Sequence, residues 1–333
     1  MNNYVEDKKV FSKLGIILLI GSLVFLGVQY GTLAVVKNIP SVVENFNVYF
    51  LIMMGSTYVI AYPIFILLFK LVPVRYKGEK KTMKLSHIFI AFCICYSAGY
   101  LCNQATTRVT SFLGELMDKD VISDVSVIMS YANPAVTFLF VVILAPIMEE
   151  LIFRKMLIDR TAQYGDVMAS VISGLTFGLF HGNISQFFYA FLLGICFGYI
   201  YAKTRNIKHT IILHMLVNSI SWIGTLVLRY SGYLELIEDL NKFSGDVADN
   251  TIITFLWEHA GGILLFFGYA LLILIVVIAG LILFFTKKDK MTFFQGLVVV
   301  PKGERMKVML LNLGMILYLG FWIVMIVLDL VGI

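Results

Sequence analysis

Two adjacent glutamates, Glu149 and Glu150, stand inside the apolar stretch Pro134-AVTFLFVVILAPIMEELIFRKM-Leu157, and Arg154 follows four residues after the second of them. An ionised side chain at mid-helix costs roughly 2.5–3.5 kcal/mol on insertion scales, so such groups face a protein interior or a water-filled cavity. Glu150 and Arg154 lie at i, i+4 with the acid on the N-terminal side, the favourable order for an ion pair. Neighbours on a helix point about 100° apart, so both carboxylates cannot address one spot equally. The pairing therefore leaves Glu149 as the free carboxylate, suited to act as a general base. Pro146, just upstream, removes one helical hydrogen bond and loosens the helix at this depth.

Two further motifs follow. In Phe177-GLF-His181 the aromatic ring lies one turn before the imidazole, and in His214-MLV-Asn218 an i, i+4 spacing places both polar groups on one helix face. Arg160, Asp166 and Lys208 serve as markers of the basic side, with a rise of ~1.5 Å per residue. Glu149 then lies about 16 Å in, His181 about 22 Å, His214 about 9 Å and Asn218 about 15 Å. With tilt these depths overlap, so the residues can meet below the basic surface. Two glycine pairs, Gly174-LTF-Gly178 and Gly194-ICF-Gly198, allow the close helix approach that a shared buried site needs.

The chemistry open to this set is proton abstraction from water next to donors for a developing negative charge, or a proton or ion path. A structural ion pair explains Glu150 and Arg154 taken alone, and Asn218 alone can be interhelical glue. Two Glu, one Arg, two His and one Asn at compatible depth favour a working site. His87, His209 and His259 lie near segment ends and read as structural hydrogen-bond partners.

These residues must be held by membrane helices. The 333-residue chain is 59% hydrophobic and 14% charged, with a mean hydropathy of +0.89, which no soluble domain can carry without an apolar surface. Apolar runs able to cross ~30 Å of hydrocarbon recur along it. The pattern predicts an all-α polytopic membrane protein of about nine helices, over 12–36, 47–71, 87–105, 134–157, 167–182, 184–202, 209–228, 258–286 and 308–330. The runs 167–182 and 184–202 are joined only by Gly182-Asn183 and are expected to turn back at partial depth.

Charge placement agrees with that count. With the N-terminus cytoplasmic, all but five of the 26 Lys and Arg residues fall on the cytoplasmic side. The outer side keeps Lys37, Arg108, Lys119, Arg229 and Lys242, and its loops at 106–133 and 229–257 are acidic. The net charge of +5 is therefore topological and gives no reason to expect nucleic acid. The first segment lacks an A-x-A-like cleavage site and is expected to be retained. Cys93, Cys95, Cys102 and Cys196 lie in or beside apolar runs and read as small buried hydrophobes, without a CxxC zinc pattern. Residues 1–133 are read as a three-helix scaffold with an outer loop, 134–228 as a core of four helices carrying the site, and 229–333 as an outer loop with two closing helices.

Glu-Glu-x-x-x-Arg, then Phe-x-x-x-His, then His-x-x-x-Asn, on successive helices between Ala135 and Ser219, resembles the CAAX protease and bacteriocin-processing family of intramembrane endopeptidases. That family includes the type 2 CAAX prenyl endopeptidases and bacterial Abi-like relatives tied to bacteriocin maturation or self-immunity. The resemblance implies that Glu149 activates water with help from His181, that His214 and Asn218 stabilise the oxyanion, and that Glu150 and Arg154 hold the helix arrangement. It implies a peptide or protein substrate, reached from the cytoplasmic side or from the membrane, and a multi-pass protein of the cell membrane. No cofactor is favoured; zinc is the alternative, with Glu149, His181 and His214 as its ligands. Two other functions stay open, a transporter using the same carboxylates and a non-catalytic bacteriocin self-immunity protein.

Overall fold

The computed structural model describes residues 4–119, 132–232, 257 and 259–332. Among these residues the chain is helical, with nine principal helices. They are α1 (Tyr4–Val36), α2 (Phe46–Leu71), α3 (Leu85–Met117), α4 (Pro134–Tyr164), α5 (Asp166–Phe180), α6 (Ile184–Thr204), α7 (Ile207–Tyr230), α8 (Ala260–Lys287) and α9 (Leu313–Val331). Eight are long and apolar enough to cross a membrane. The ninth, α5, has 15 residues, about 22 Å of rise against ~30 Å of hydrocarbon. The hairpin expected at 167–202 is present, with its turn at His181-Gly182-Asn183, and it joins the short α5 to α6, whose 21 residues are long enough to cross.

Of the connection expected over 106–133, residues 106–117 instead extend α3. Thr106 and Thr107 look like loop residues, but each donates its hydroxyl to the carbonyl one turn back, Cys102 at 2.9 Å and Asn103 at 3.0 Å. Such back-bonding satisfies the hydroxyl inside a membrane helix. The acidic loop positions Asp120, Asp124, Glu235, Glu238, Asp239, Asp246 and Asp249 lie outside the described residues.

The hairpin α5–α6 is the centre of the bundle, and its glycines are the reason it packs so closely. A Cβ on Gly194 would stand 2.6 Å from the Gly174 Cα, one on Gly178 2.9 Å from the Phe187 carbonyl oxygen, and one on Gly198 3.0 Å from the Ser170 Cα. Helix α3 lies along α6, with α8 outside it; α1, α2 and α9 pack together on the other side. Apolar side chains face outward along α8, including Leu264, Leu271, Ile275 and Phe285, as a lipid-facing surface requires.

One end of the bundle collects the basic segments, as the charge pattern predicts. Tyr164 donates to Asp7 at 2.9 Å, and Arg160 donates to the Val72 carbonyl at 2.7 Å. The Lys81 amide donates to the Thr204 carbonyl at 2.7 Å, and Lys203 pairs with Asp166 at 3.0 Å. The Phe294 amide donates to Asp166 at 2.8 Å. Five segments distant in sequence are thus tied on one face. At the opposite end Lys119 reaches the carbonyls of Asp329 and Leu330, Arg229 donates to the Ala132 carbonyl, and Asn47 accepts from the Asn133 amide.

Helix α4 is irregular where the site is built. Phe138–Leu144 and Glu150–Met156 are π-helical turns on either side of Pro146. Proline supplies no N–H to the helix, and wide turns of this kind leave carbonyls for outside donors. Side chains take them up: Asn218 donates to the Val141 carbonyl at 2.9 Å and Ser173 to the Phe153 carbonyl at 2.8 Å.

Candidate functional site

The expected ion pair is present and dry. Arg154 Nε lies 3.2 Å from Glu150 Oε2, and both side chains are fully buried. The Arg154 guanidinium lies over the ring of Phe177 at 4.4 Å and near that of Phe197 at 5.6 Å, so aromatic faces cover a cation that water does not reach.

Glu150 does more than pair with Arg154. Its Oε1 lies 3.0 Å from Nδ1 of His214 on α7. A carboxylate held ionised by arginine can only accept, so Nδ1 of His214 carries the proton and Nε2 is turned away from Glu150. That nitrogen points toward Glu149, 3.7 Å from its Oε2. The two glutamates that helical geometry keeps apart therefore meet through one imidazole. Phe177 and Phe197 flank the same ring at 5.8 Å and 5.4 Å.

His181 caps α5. Its Nδ1 lies 2.9 Å from the Phe177 carbonyl, which can only accept, so in the neutral ring Nε2 carries the lone pair. The Phe177 ring stands edge-on to both imidazoles, at 4.8 Å from His181, and so joins the second motif to the third. Asn183 completes the turn by donating to the His181 carbonyl at 2.9 Å and accepting from the Gln186 amide at 2.9 Å.

Glu149, His181, His214 and Asn218 all line one cavity of about 1600 Å³, whereas Glu150 and Arg154 lie behind its wall. Four of the six candidate residues thus face the open space and two support them. Asn218 is partly committed, because one of its N–H groups goes to Val141; the other remains for the cavity. Among the described residues no three His, Cys, Asp or Glu groups are gathered as a metal-holding cluster. Glu149, His181 and His214, the set proposed for zinc, do not form such a cluster there, although His214 Nε2 and Glu149 Oε2 stand 3.7 Å apart.

Several lining residues escaped the sequence reading. Tyr58, Tyr62 and Trp322 belong to α2 and α9, which read as scaffold, yet they form cavity wall. Tyr58 donates to the Phe140 carbonyl at 3.4 Å, and Trp322 donates to Ser22 at 3.2 Å. An aromatic residue in an apolar helix looks the same in sequence whether it faces lipid or a void. Phe197 sat inside the Gly194–Gly198 motif, where only the glycines drew notice. Tyr189 and Gln186, on the first turns of α6, complete the side of the cavity near His181.

The cavity also extends away from the basic face, not toward it. Its lining passes Asn103 in the middle of α3 and continues to Gln29, Thr110, Arg229 and Asp329, within about two turns of the ends of α1, α3, α7 and α9 opposite the basic segments. Entry from the cytoplasmic side or from the membrane was expected from sequence, where depth measured from basic markers locates residues and says nothing about where space lies between them.

Comparison with known proteins places this geometry in a family context. Residues 131–220 match the family model described as Type II CAAX prenyl endopeptidase Rce1-like. That span holds all six candidate residues and bears out, over its length, the resemblance carried by the three motifs. A Bacillus subtilis (strain 168) protein named "Putative membrane peptidase YdiL" is 31% identical over 78 residues, which are 23% of this chain. The chain spans about a third of the length of that relative (32%). No solved structure matches. With its eight crossing-length apolar helices, the chain is a multi-pass membrane protein.

Proposed function

We propose that this protein is an intramembrane endopeptidase in which Glu149 activates the water that attacks a peptide carbonyl. The observation that carries the reading is the placement of His214 between a fully buried, arginine-paired Glu150 and a cavity-facing Glu149. A buried acceptor on Nδ1 fixes the imidazole's orientation and directs Nε2 at the reacting space. The match of residues 131–220 to a prenyl endopeptidase family and the similarity to a protein named as a membrane peptidase support the class of reaction.

The steps follow from the donors available. Glu149 takes a proton from water, and the hydroxide adds to the scissile carbonyl, whose electron pair moves to oxygen. The free N–H of Asn218 is offered to that oxyanion, beside the His214 ring, which Glu150 holds in place through Nδ1–H. Glu149 then returns its proton to the leaving amine as the C–N bond breaks, so the carboxylate is restored and water has been added across the bond. His181, through Nε2, orients the water. The cavity volume exceeds the ~300–1,000 Å³ usual for small ligands and suits an extended peptide. No step needs a metal ion.

The closed wall behind Glu149 supports hydrolysis over transport, since Glu150, Ile152, Phe153, Arg154 and Leu157 are all fully buried there. Cleavage of a quenched fluorescent peptide library by the purified protein in detergent tests the proposal, comparing wild type with Glu149→Gln and His181→Ala, each with and without a chelator. Wild-type cleavage lost in both variants and indifferent to chelator is expected. Cleavage that survives in Glu149→Gln would refute the role of that carboxylate, and loss on chelation restored by zinc would move the chemistry to a metal. Absence of cleavage, with immunity function surviving substitution of the six residues, would favour a non-catalytic self-immunity protein.

A further inference from the structure

We infer that the cavity receives its peptide from the extracytoplasmic side, so that the substrate is a segment displayed on, or translocated to, the outer face of the membrane. The inference rests on the peptidase reading for the word substrate, but the direction of the opening stands on geometry alone.

Two observations fix that direction. The first is a seal. On the basic side of Glu149 the same helix presents Glu150, Ile152, Phe153, Arg154, Leu157 and Ile158, each with no exposed surface, and Tyr164 and Tyr201 beyond them are buried as well. None of these residues lines the cavity. The basic segments close over it through Tyr164–Asp7, Arg160–Val72 and Phe294–Asp166.

The second is a polar chute. From Glu149 the lining climbs through His181, Asn183 and Ser221, passes Asn103 in the middle of α3 and Gln29 on α1, and reaches Arg229 at the end of α7. Amides and hydroxyls stand there among apolar side chains, with Arg229 and Asp329 at the outer end, and they offer hydrogen bonds to an extended backbone. Membrane helices rarely carry such groups where they meet lipid.

The two faces differ in charge, and the sealed one holds most of the lysines and arginines. Positively charged segments stay in the cytoplasm, so the sealed face is the cytoplasmic one and the polar chute leads outward. A modified C-terminal tail presented from the cytoplasm would meet the seal, whereas a peptide held at the outer leaflet would meet the chute.

Cysteine accessibility decides this independently of activity. In a chain whose Cys93, Cys95, Cys102 and Cys196 are replaced by alanine, single Asn103→Cys, Gln29→Cys and Lys80→Cys variants would be treated with a membrane-impermeant thiosulfonate, in intact cells and in inverted vesicles. Asn103→Cys and Gln29→Cys are expected to label in intact cells and Lys80→Cys only in inverted vesicles. Labelling of Asn103→Cys and Gln29→Cys only in inverted vesicles, or from neither side, would overturn the inference. Should the cysteine-free chain fail to accumulate, the same substitutions in the native background, blanked against the unsubstituted chain, give the same reading. A negative peptide-cleavage assay beside positive outside labelling would remove the peptidase reading and leave the outward opening standing.

Discussion

His214 Nδ1 stands 3.0 Å from Glu150 Oε1, and the opposite nitrogen of the same ring stands 3.7 Å from Glu149 Oε2. One imidazole thus connects a carboxylate with no exposed surface to a carboxylate that faces a cavity. The buried partner has a fixed ionic state because Arg154 neutralises it at 3.2 Å. The cavity-facing partner forms no ion pair on α4, which leaves its oxygens open to the cavity.

Replacing Glu149 by Gln keeps the shape and removes the base. Peptide hydrolysis is expected to fall by about 10²–10⁴-fold, the usual contribution of a positioned proton acceptor. The melting temperature in detergent should stay at the wild-type value. A parallel fall in both would mean that Glu149 serves packing.

Arg154→Met is expected to destabilise the protein by about 3–5 kcal/mol, because it strands Glu150 as an uncompensated buried charge. Adding Glu150→Gln should recover much of that loss, since the orphan charge disappears with it. Activity should not return in the double variant, because a glutamine holds the His214 N–H more weakly than a carboxylate does. Thermal unfolding and peptide cleavage on the same preparations separate the two effects.

Asn218→Leu removes both the bond to the Val141 carbonyl and the free amide proton. The rate constant kcat is expected to drop by about 10²–10³-fold with KM little changed, the signature of a lost oxyanion donor. If Asn218 only pinned the π-helical turn of α4, the melting temperature would fall while kcat in the folded fraction held.

Gly194→Val tests the hairpin. Its Cβ would meet the Gly174 Cα at 2.6 Å, a backbone atom that cannot rotate away. The expected cost is about 1–3 kcal/mol from overpacking, read as a lower melting temperature. Gly27→Val, at a position with nothing within 4 Å, should be neutral in the same assay.

Much of the site was legible in the chain. Charged and amide side chains are costly in hydrocarbon, so Glu149, Glu150, Arg154, His214 and Asn218 announce themselves by their setting, and helical periodicity assigns Arg154 to Glu150 correctly. Periodicity also kept the two glutamates apart, but it could not reveal that His214 would fill the angle between them. The helices that enclose the cavity were less legible. Tyr58, Tyr62 and Trp322 contribute rings whose cavity-facing role depends on which helices become neighbours, a long-range property with no local pattern. The helical extension of α3 past residue 105 was hidden because Thr106, Thr107 and Thr110 satisfy their hydroxyls internally and so only resemble a loop. The direction of the cavity was beyond reach for the same kind of reason: empty space has no residues.

Glu150 and Arg154 are four residues apart on one helix, and this bears on how the protein reaches the bilayer. Their pairing needs no other part of the fold, so α4 can leave the translocation machinery with its two most costly charges already neutralising each other. Glu149 lacks that shelter until α7 delivers His214. During synthesis, then, the supporting pair is complete before the working carboxylate is, and assembly of the site ends with the helix made last among the four that carry its motifs.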